Sequence, residues 1–117
     1  MKLWIDDVRP APEGYIWCKS TNEALHFITS PENRNNISVI DIDHDAGKYI
    51  NEGGDYINIL NKLERLSSTV TYVDGILFHN YWHQLCNNII FKIHSMNPVG
   101  VANMRAIIER NGWKEIR

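Results

Sequence analysis

The sequence contains little that would place the protein in a membrane or an oxidising compartment. It has only two cysteines among 117 residues and no CxxC pair, so we expect neither a disulfide framework nor a zinc knot. No stretch approaches the ~20 apolar residues of a membrane span. The N-terminus also lacks the apolar core of a signal peptide. We therefore predict a cytoplasmic protein in which Cys18 and Cys86 are buried free thiols.

The sequence also lacks a large net charge and the known glycine-rich binding motifs. The net charge of −2 argues against binding to a long nucleic acid. No GxxxxGK[ST], GxGxxG or HExxH motif is present. What remains is an apolar fraction of 44% and a charged fraction of 22%, which are ordinary for a globular chain. This length and composition predict a single domain, residues 1–117, with one core.

Apolar segments of strand type end in acids or histidines at three places. Each segment would bury its apolar residues, whereas an unpaired buried carboxylate costs several kcal/mol. The polar groups should therefore lie where the strands end, and parallel strands would bring them into one crevice. The groups are Asp6-Asp7 after 3–5, Asp43-His44-Asp45 after 37–42, and His94-Ser95 after 89–93.

Periodicity and capping signals predict the remaining elements. Ser20 and Glu23 form a capping-box pattern before an apolar helical face, and Asp55 could cap the next helix. Asp74-Gly75 between β-branched residues is typical of a hairpin turn. The segment 81–87 is ambiguous, and 97–100 is predicted to be a turn. The predicted strands are 2–5, 15–18, 37–42, 89–93 and an edge strand at 113–116, the hairpin is 70–78, and the helices are about 21–29, 55–66 and 101–110.

Converging carboxylates repel one another unless protons or a cation neutralise them. Hard oxygen donors suit Mg²⁺ or Mn²⁺, so the acids at the strand ends are candidate metal ligands. The alternative is that several of them are helix caps, loop acids or partners of basic side chains. Asp41 lies further back in its strand, and we exclude it from the site. The candidate metal ligands are Asp6, Asp7, Asp43 and Asp45.

Basic and polar residues beside these acids suggest proton transfer and phosphate binding. His44 and His94 could act as general acid and base or bind a transition metal, or they could be hydrogen-bonded structural residues. Arg9 suits a bidentate phosphate contact, or a salt bridge to Asp7 or Asp45. Ser95 and Asn97 precede a helix whose N-terminus could bind an anion, although a simple turn is the alternative.

The other histidines are better explained as structural. His26 lies within an amphipathic helix pattern. His79 and His83 are four residues apart and could form a metal pair only if 79–83 were helical, and no acid lies close by in sequence.

Three motifs together resemble the cyclic-phosphate processing receiver-like domain, a relative of the response-regulator receiver fold. They occur in order over about residues 2–111. The motifs are Asp6-Asp7-Val8-Arg9-Pro10, Asp43-His44-Asp45 and His94-Ser95-Met96-Asn97-Pro98-Val99-Gly100.

The resemblance implies a three-layer α/β receiver or flavodoxin-like fold, with a parallel sheet of 2-1-3-4 order and helices on both faces. It implies that Asp6, Asp7 and Asp43 correspond to the receiver's divalent-metal pocket. His44, Asp45, His94, Ser95 and Asn97 would be additions of this family.

The chain departs from the receiver pattern in two ways. Residues 67–83, including a hairpin around 69–79, look inserted, and they could cover the cleft or mediate homodimerisation. The receiver's lysine near the end of the fifth strand has no clear match, because Lys114 precedes or starts the last strand. This disfavours ordinary aspartyl-phosphate signalling and makes Asp43 a less favoured covalent nucleophile.

These observations lead to three functional hypotheses. The first is a Mg²⁺- or Mn²⁺-dependent phosphoesterase for a cyclic-phosphate or nucleotide-derived small molecule. Its catalytic residues would be Asp43, His44 and His94, and Arg9, Ser95 and Asn97 would bind the phosphate. The second is a non-catalytic module that sequesters a nucleotide or recognises a protein partner. The third is a small assembly factor that uses residues 67–83 as its interface.

Overall fold

The computed structural model describes the backbone of residues 1–117 and every side chain except that of His79. Its strands are short and its helices are concentrated in the second half of the chain. The strands are β1 Lys2–Ile5, β2 Tyr15–Cys18, β3 Val39–Ile42, β4 Val70–Val73, β5 Ile76–His79, β6 Ile90–Ile93 and β7 Lys114–Glu115. The α-helices are α1 Thr21–Thr29, α2 Ile57–Ser68, α3 Tyr81–Asn87 and α4 Pro98–Arg110, with a 3₁₀ turn at Gly47–Tyr49.

Five of the strands form one parallel sheet in the order β2-β1-β3-β6-β7. The register places Leu3 opposite both Ile16 and Ile40, and Ile40 opposite Phe91. The predicted 2-1-3-4 order is therefore confirmed, with a fifth strand at the edge. In this register β1, β3 and β6 all end at the same edge, which places the polar residues after them side by side.

One face of the sheet is packed against the helices. Leu3, Ile5, Ile40, Ile42 and Phe91 alternate along the central strands and are fully buried there. Each helix buries an apolar stripe against this face. On α2 the stripe consists of Ile59, Leu60 and Leu63. The receiver-like α/β class is therefore confirmed.

The helices of the described backbone lie in one layer, so the expectation of helices on both faces was wrong. The three crossovers after β2, β3 and β6 all proceed in the same direction across the sheet. Right-handed crossovers in one direction place their helices on the same face, and α2 accordingly contacts α1, α3 and α4. Only the β1–β2 connection runs the other way, and there the Pro-rich segment 6–14 is a loop. The opposite face carries half-buried Trp4, Tyr15 and Trp17.

One predicted helix start is confirmed and another differs. The Ser20 cap of α1 is confirmed, since its Oγ accepts from Glu23 N at 3.0 Å. Helix α2 begins at Ile57 rather than at 55, because Asp55 accepts from Ala46 N at 3.0 Å instead of capping the helix.

Two predictions in the last third of the chain are also settled. The segment predicted as a turn at 97–100 is the cap and first turn of α4, with Asn97 as N-cap and Pro98 at a first-turn position that needs no N–H donor. The ambiguous segment 81–87 is the short helix α3.

The predicted hairpin and the two thiols are confirmed. Strands β4 and β5 pair antiparallel around Asp74-Gly75, whose φ angles of 51° and 78° suit a two-residue hairpin turn. Cys18 and Cys86 are buried and unbridged, and burial raises the pKa of each thiol to about 12. Of the helices in the described chain, none is both long and apolar enough to traverse a bilayer.

Candidate functional site

The carboxyl edge of the sheet gathers three aspartates from two neighbouring strands. Asp6 and Asp7 follow β1, and Asp43 follows β3. Asp43 N donates to Ile5 O at 2.9 Å, which extends the β1–β3 ladder and brings Asp43 beside Asp6. One carboxylate oxygen from each of the three lies within 4.8 Å of the others. We call these residues the strand-end triad.

Asp6 is held in its ionised form by the loop that follows it. It is fully buried, and its Oδ1 accepts from Val8 N and Arg9 N, each at 2.9 Å. Burial by itself raises the pKa of Asp6, but these backbone N–H groups and the ring of His94 outweigh it, so that the pKa is lowered. Asp6 is therefore a built-in anion with most of its hydrogen-bonding capacity used inside the chain.

Asp7 is the member of the triad that ionises with difficulty. Burial raises the pKa of its carboxyl, and the negative charges of Asp6 and Asp43 raise it further. Its position leaves no room at Gly47, where an added Cβ would lie 2.1 Å from Asp7 Oδ2. Gly47 also has a φ of 54°, which favours glycine. The loop after β3 therefore closes tightly over Asp7.

His94 is fixed between two carboxylates. Its Nε2 lies 2.9 Å from Asp6 Oδ2 and its Nδ1 lies 2.6 Å from Asp41 Oδ1. Its ring also stacks on Trp4, with centroids 3.8 Å apart and planes 4° apart. The donor and the acceptor in each contact depend on the tautomer of the ring. The two contacts and the stacking on Trp4 together fix the position of the imidazole.

Asp41, which we excluded from the site, belongs to this hydrogen-bond network. It is buried in the middle of β3, opposite Lys92 in the register. His94 lies two residues beyond Lys92 and so shares its face of the sheet. The signal was present in the sequence, because an acid within an otherwise buried strand needs a partner.

Arg9 lies across the triad. Its Nε is 3.2 Å from Asp6 Oδ2, and its Nη2 is 3.9 Å from Asp43 Oδ2 and donates to His94 O at 2.9 Å. The ion-pair partners are thus Asp6 and Asp43 rather than Asp7 or Asp45, which were the expected alternatives. The side chain remains 47% exposed, so part of a cationic group faces solvent directly over the carboxylates.

Asp45 lies in a second group with His44 and Asp55, and the structure does not bring it into the triad. Ligand atoms of these three residues lie within 4.8 Å of one another. His44 Nδ1 is 2.8 Å from Asp45 Oδ1. The ring of His44 packs against the start of α4, where a Cβ on Gly100 would come within 2.4 Å of it. His44 and His94 therefore belong to two different sets of contacts.

Ser95 and Asn97 build the turn that leads into α4. Ser95 Oγ accepts from Asn97 N at 3.1 Å, and Asn97 Oδ1 accepts from Gly100 N at 3.0 Å. The amide of Asn97 also donates to Asp45 Oδ1 at 3.3 Å. Both side chains thus have roles within the chain, and phosphate binding by them stays a prediction.

Two further expectations concern residues outside these groups. Lys114 pairs with Ile90 at the start of β6. This is the end of the strand remote from the triad, so Lys114 does not take the position of the receiver's lysine. The His79–His83 pair depends on a side chain outside the described set, but His79 ends β5 and His83 lies in α3, so the two do not share a helix.

One comparison with known proteins gives a match, and it covers nearly the whole chain. The family model described as the cyclic-phosphate processing receiver domain matches residues 1–110. Comparison with curated proteins and with solved structures gave no match. The matched range includes the strand-end triad, both histidines at the strand ends, and the hairpin.

Proposed function

The chain belongs to the family of cyclic-phosphate processing receiver domains, and on that premise we propose that it is a metal-dependent phosphoesterase. Its substrate would be a cyclic phosphate or another small nucleotide-derived phosphate. A cytoplasmic location and the absence of long nucleic acids among its partners stay predictions.

The strand-end triad is the observation that carries this proposal. Three carboxylates within 4.8 Å of one another repel strongly unless a cation or a proton lies among them. Burial raises the pKa of Asp7, and the repulsion by Asp6 and Asp43 raises it further. Oxygen donors of this kind fit Mg²⁺ or Mn²⁺. Asp6, Asp7 and Asp43 would hold the ion.

A divalent ion at such a site supplies charge that polarises a phosphoryl group and acidifies a bound water. The half-exposed guanidinium of Arg9 would pair with phosphate oxygens, because its two nearby carboxylates hold it above the triad. Buried Asp6 gives the triad a permanent negative charge, so that its affinity for a cation does not depend on deprotonating all three acids.

The two histidines are suited to different tasks. His44 uses Nδ1 for Asp45, and this contact would orient the ring so that Nε2 can carry the proton of a leaving or attacking oxygen. We assign Asp45 that orienting role. His94 has both ring nitrogens engaged, so its contribution would be to hold Asp6 in place, with proton transfer only after one of those contacts opens.

A binding module without catalysis is the second candidate, and the state of His94 and Arg9 favours it. A histidine clamped by two carboxylates is poorly placed to exchange protons, and Arg9 is already bonded to the carbonyl of His94. A site with these features could hold a phosphate ligand intact. This alternative shares the triad and the ion with the first proposal.

One assay separates the two candidates. The protein is incubated with Mg²⁺ or Mn²⁺ and a panel of 2′,3′-cyclic nucleotides and cyclic oligonucleotides, and products are resolved by chromatography. We expect turnover that Asp43→Asn lowers at least about 100-fold. Asp74→Asn is the matched control, because it makes the same change in the hairpin turn, where asparagine suits the positive φ of 51°.

The outcomes point in different directions. Metal-dependent turnover lost in Asp43→Asn and kept in Asp74→Asn supports the enzyme. Recovery of intact bound ligand with every metal tested supports the binding module. If neither Mg²⁺ nor Mn²⁺ binds to the protein by calorimetry, both candidates fail, since both require the triad to hold an ion.

A further inference from the structure

The hairpin of β4 and β5 exposes a large apolar surface. Six of its side chains are between 40% and 68% exposed. We call them the hairpin patch: Val70, Tyr72, Val73, Ile76, Leu77 and Phe78. Contiguous exposed apolar patches of this kind mark interaction sites.

Both faces of the hairpin are uncovered by the described chain. Tyr72 and Leu77 are opposite each other on one face, and Val73 and Ile76 are opposite each other on the other. Every residue of β4 is exposed. An isolated two-stranded ribbon is marginal in water and normally needs a further strand or a packed face. A partner that packs against the hairpin or pairs with it would therefore stabilise its fold.

The two edges of the hairpin carry none of the usual protection against pairing. From Ser67 to Trp82 the only aspartate, glutamate, lysine or arginine is Asp74, at the turn, and there is no proline. Edges that avoid association usually carry lysines, prolines or bulges. In the described part of the chain, β4 and β5 pair with no third strand, so each offers an edge to which another strand could add.

We propose that the hairpin patch is the interface of a homodimer, in which the hairpins of two copies pair edge to edge and antiparallel. Around a two-fold axis a strand edge is complementary to itself. The absence of charge within the patch removes like-charge repulsion between identical copies. The antiparallel arrangement also places the two Asp74 residues at opposite ends.

The area limits the dimer to a weak one. Edge-to-edge pairing leaves both faces of the joined ribbon in solvent, so it buries only part of the hairpin patch and less than the ~1,000 Å² of a stable interface. A partner selected by charge would find nothing to pair with in this surface, whereas a second hairpin offers both the apolar area and the missing strand. We therefore expect a dissociation constant in the micromolar range.

Sedimentation equilibrium of the full chain over a range of concentrations tests the proposal. The double variant Leu77→Lys/Phe78→Lys places one charge on each face of the hairpin. Its control, Ile50→Lys/Ile116→Lys, changes two residues of matched exposure, 45% and 52% against 45% and 51%. We expect wild type and control to dimerise within twofold of each other and the hairpin variant to be at least about tenfold weaker.

Several results would overturn the proposal. They are a wild-type protein that stays monomeric at several hundred micromolar, equal dimerisation of the hairpin variant, and growth beyond a dimer. Sedimentation with phosphatidylcholine–phosphatidylglycerol vesicles by a protein that is monomeric in buffer would mean that lipid covers the patch. Hydrogen exchange of the amides of 70–78 provides a second measurement on unmodified protein, because the dimer requires their protection to increase with concentration.

Discussion

The strand-end triad and the hairpin patch both depart from the usual distribution of polarity, in opposite directions. At the sheet edge, the three carboxylates are buried or half-buried, and Asp6 and Asp43 have hydrogen-bond or ion-pair partners from the same chain. In the hairpin, apolar groups are exposed and both faces lack cover from the described chain. Burying an unpaired charge costs several kcal/mol, whereas exposing an apolar side chain costs about 1.5–3 kcal/mol.

This difference indicates where each region needs something from outside. The triad has its hydrogen bonds but keeps an excess of negative charge, which a cation would relieve. The hairpin has its backbone pairing but keeps apolar area, which a protein surface would relieve. Helix α2 begins beside the triad and runs for 12 residues to the hairpin. The two regions therefore lie at opposite ends of this helix. We therefore expect them to act independently.

Gly47→Ala should have the largest effect, because it pushes Asp7 out of the triad. The new Cβ would overlap Asp7 Oδ2, so we expect the affinity for Mn²⁺, measured by calorimetry, to fall about 10–100-fold. Gly14→Ala is the control, since Gly14 also has a positive φ, 85°, but faces open space. Equal losses of affinity in the two variants would mean that backbone strain rather than Asp7 is responsible.

Gly100→Ala tests whether the ring of His44 is fixed against α4. An exposed helical position would gain about 1 kcal/mol from this change. Here the added Cβ would come within 2.4 Å of the His44 ring, so we expect a loss of about 1–3 kcal/mol in the free energy of unfolding, measured with urea. Ala102→Gly, at an exposed position of the same helix, measures how much helix propensity alone changes the free energy of unfolding. A stabilising Gly100→Ala would show that His44 is free to move.

Asp7→Asn should raise stability without metal and abolish the stabilisation that metal provides. The folded-state pKa of Asp7 is raised by burial and by its two neighbours. Its contribution to stability is therefore complete below the unfolded pKa of about 3.9 and is lost as pH rises through the folded value. Asparagine avoids that loss, so we expect Tm at neutral pH to rise by about 2–4 °C.

The pH dependence provides the check on this variant. The difference in Tm between Asp7→Asn and wild type should vanish below about pH 4, where the aspartate is protonated in both states. Asp74→Asn, at the exposed turn, should show no such convergence. A gain in Tm that persists at pH 3 would contradict the assigned cause.

The smallest effect is expected at the triad when the hairpin patch is changed. The Leu77→Lys/Phe78→Lys variant should bind Mn²⁺ within twofold of wild type, because separated sites are close to additive. Helix α2 alone separates the regions by about 18 Å. A change in Mn²⁺ affinity of tenfold or more would contradict the independence of the two regions and show that dimerisation and the site are coupled.

Local patterns were enough to predict most elements and the position of the site. The Ser20 cap, the Asp74-Gly75 turn and the acids at the strand ends are short-range signals, since each depends on neighbours within a few residues. The start of α2 was less accessible, because Asp55 bonds to Ala46 across a loop rather than capping. Longer-range competition for a polar side chain decides such ends.

What the sequence by itself determined is that Asp6, Asp7 and Asp43 lie where their strands end, whereas the parallel order of β2, β1, β3 and β6 came from the resemblance to the receiver-like family. The apolar segments and the acids that follow them are local features, and both can be seen in the residue pattern. Only the tertiary structure decided that the helices form one layer, that Asp41 holds His94, and that Asp45 joins His44 and Asp55. The reason is physical, since the direction of each crossover and the partner of each polar group depend on residues distant in sequence.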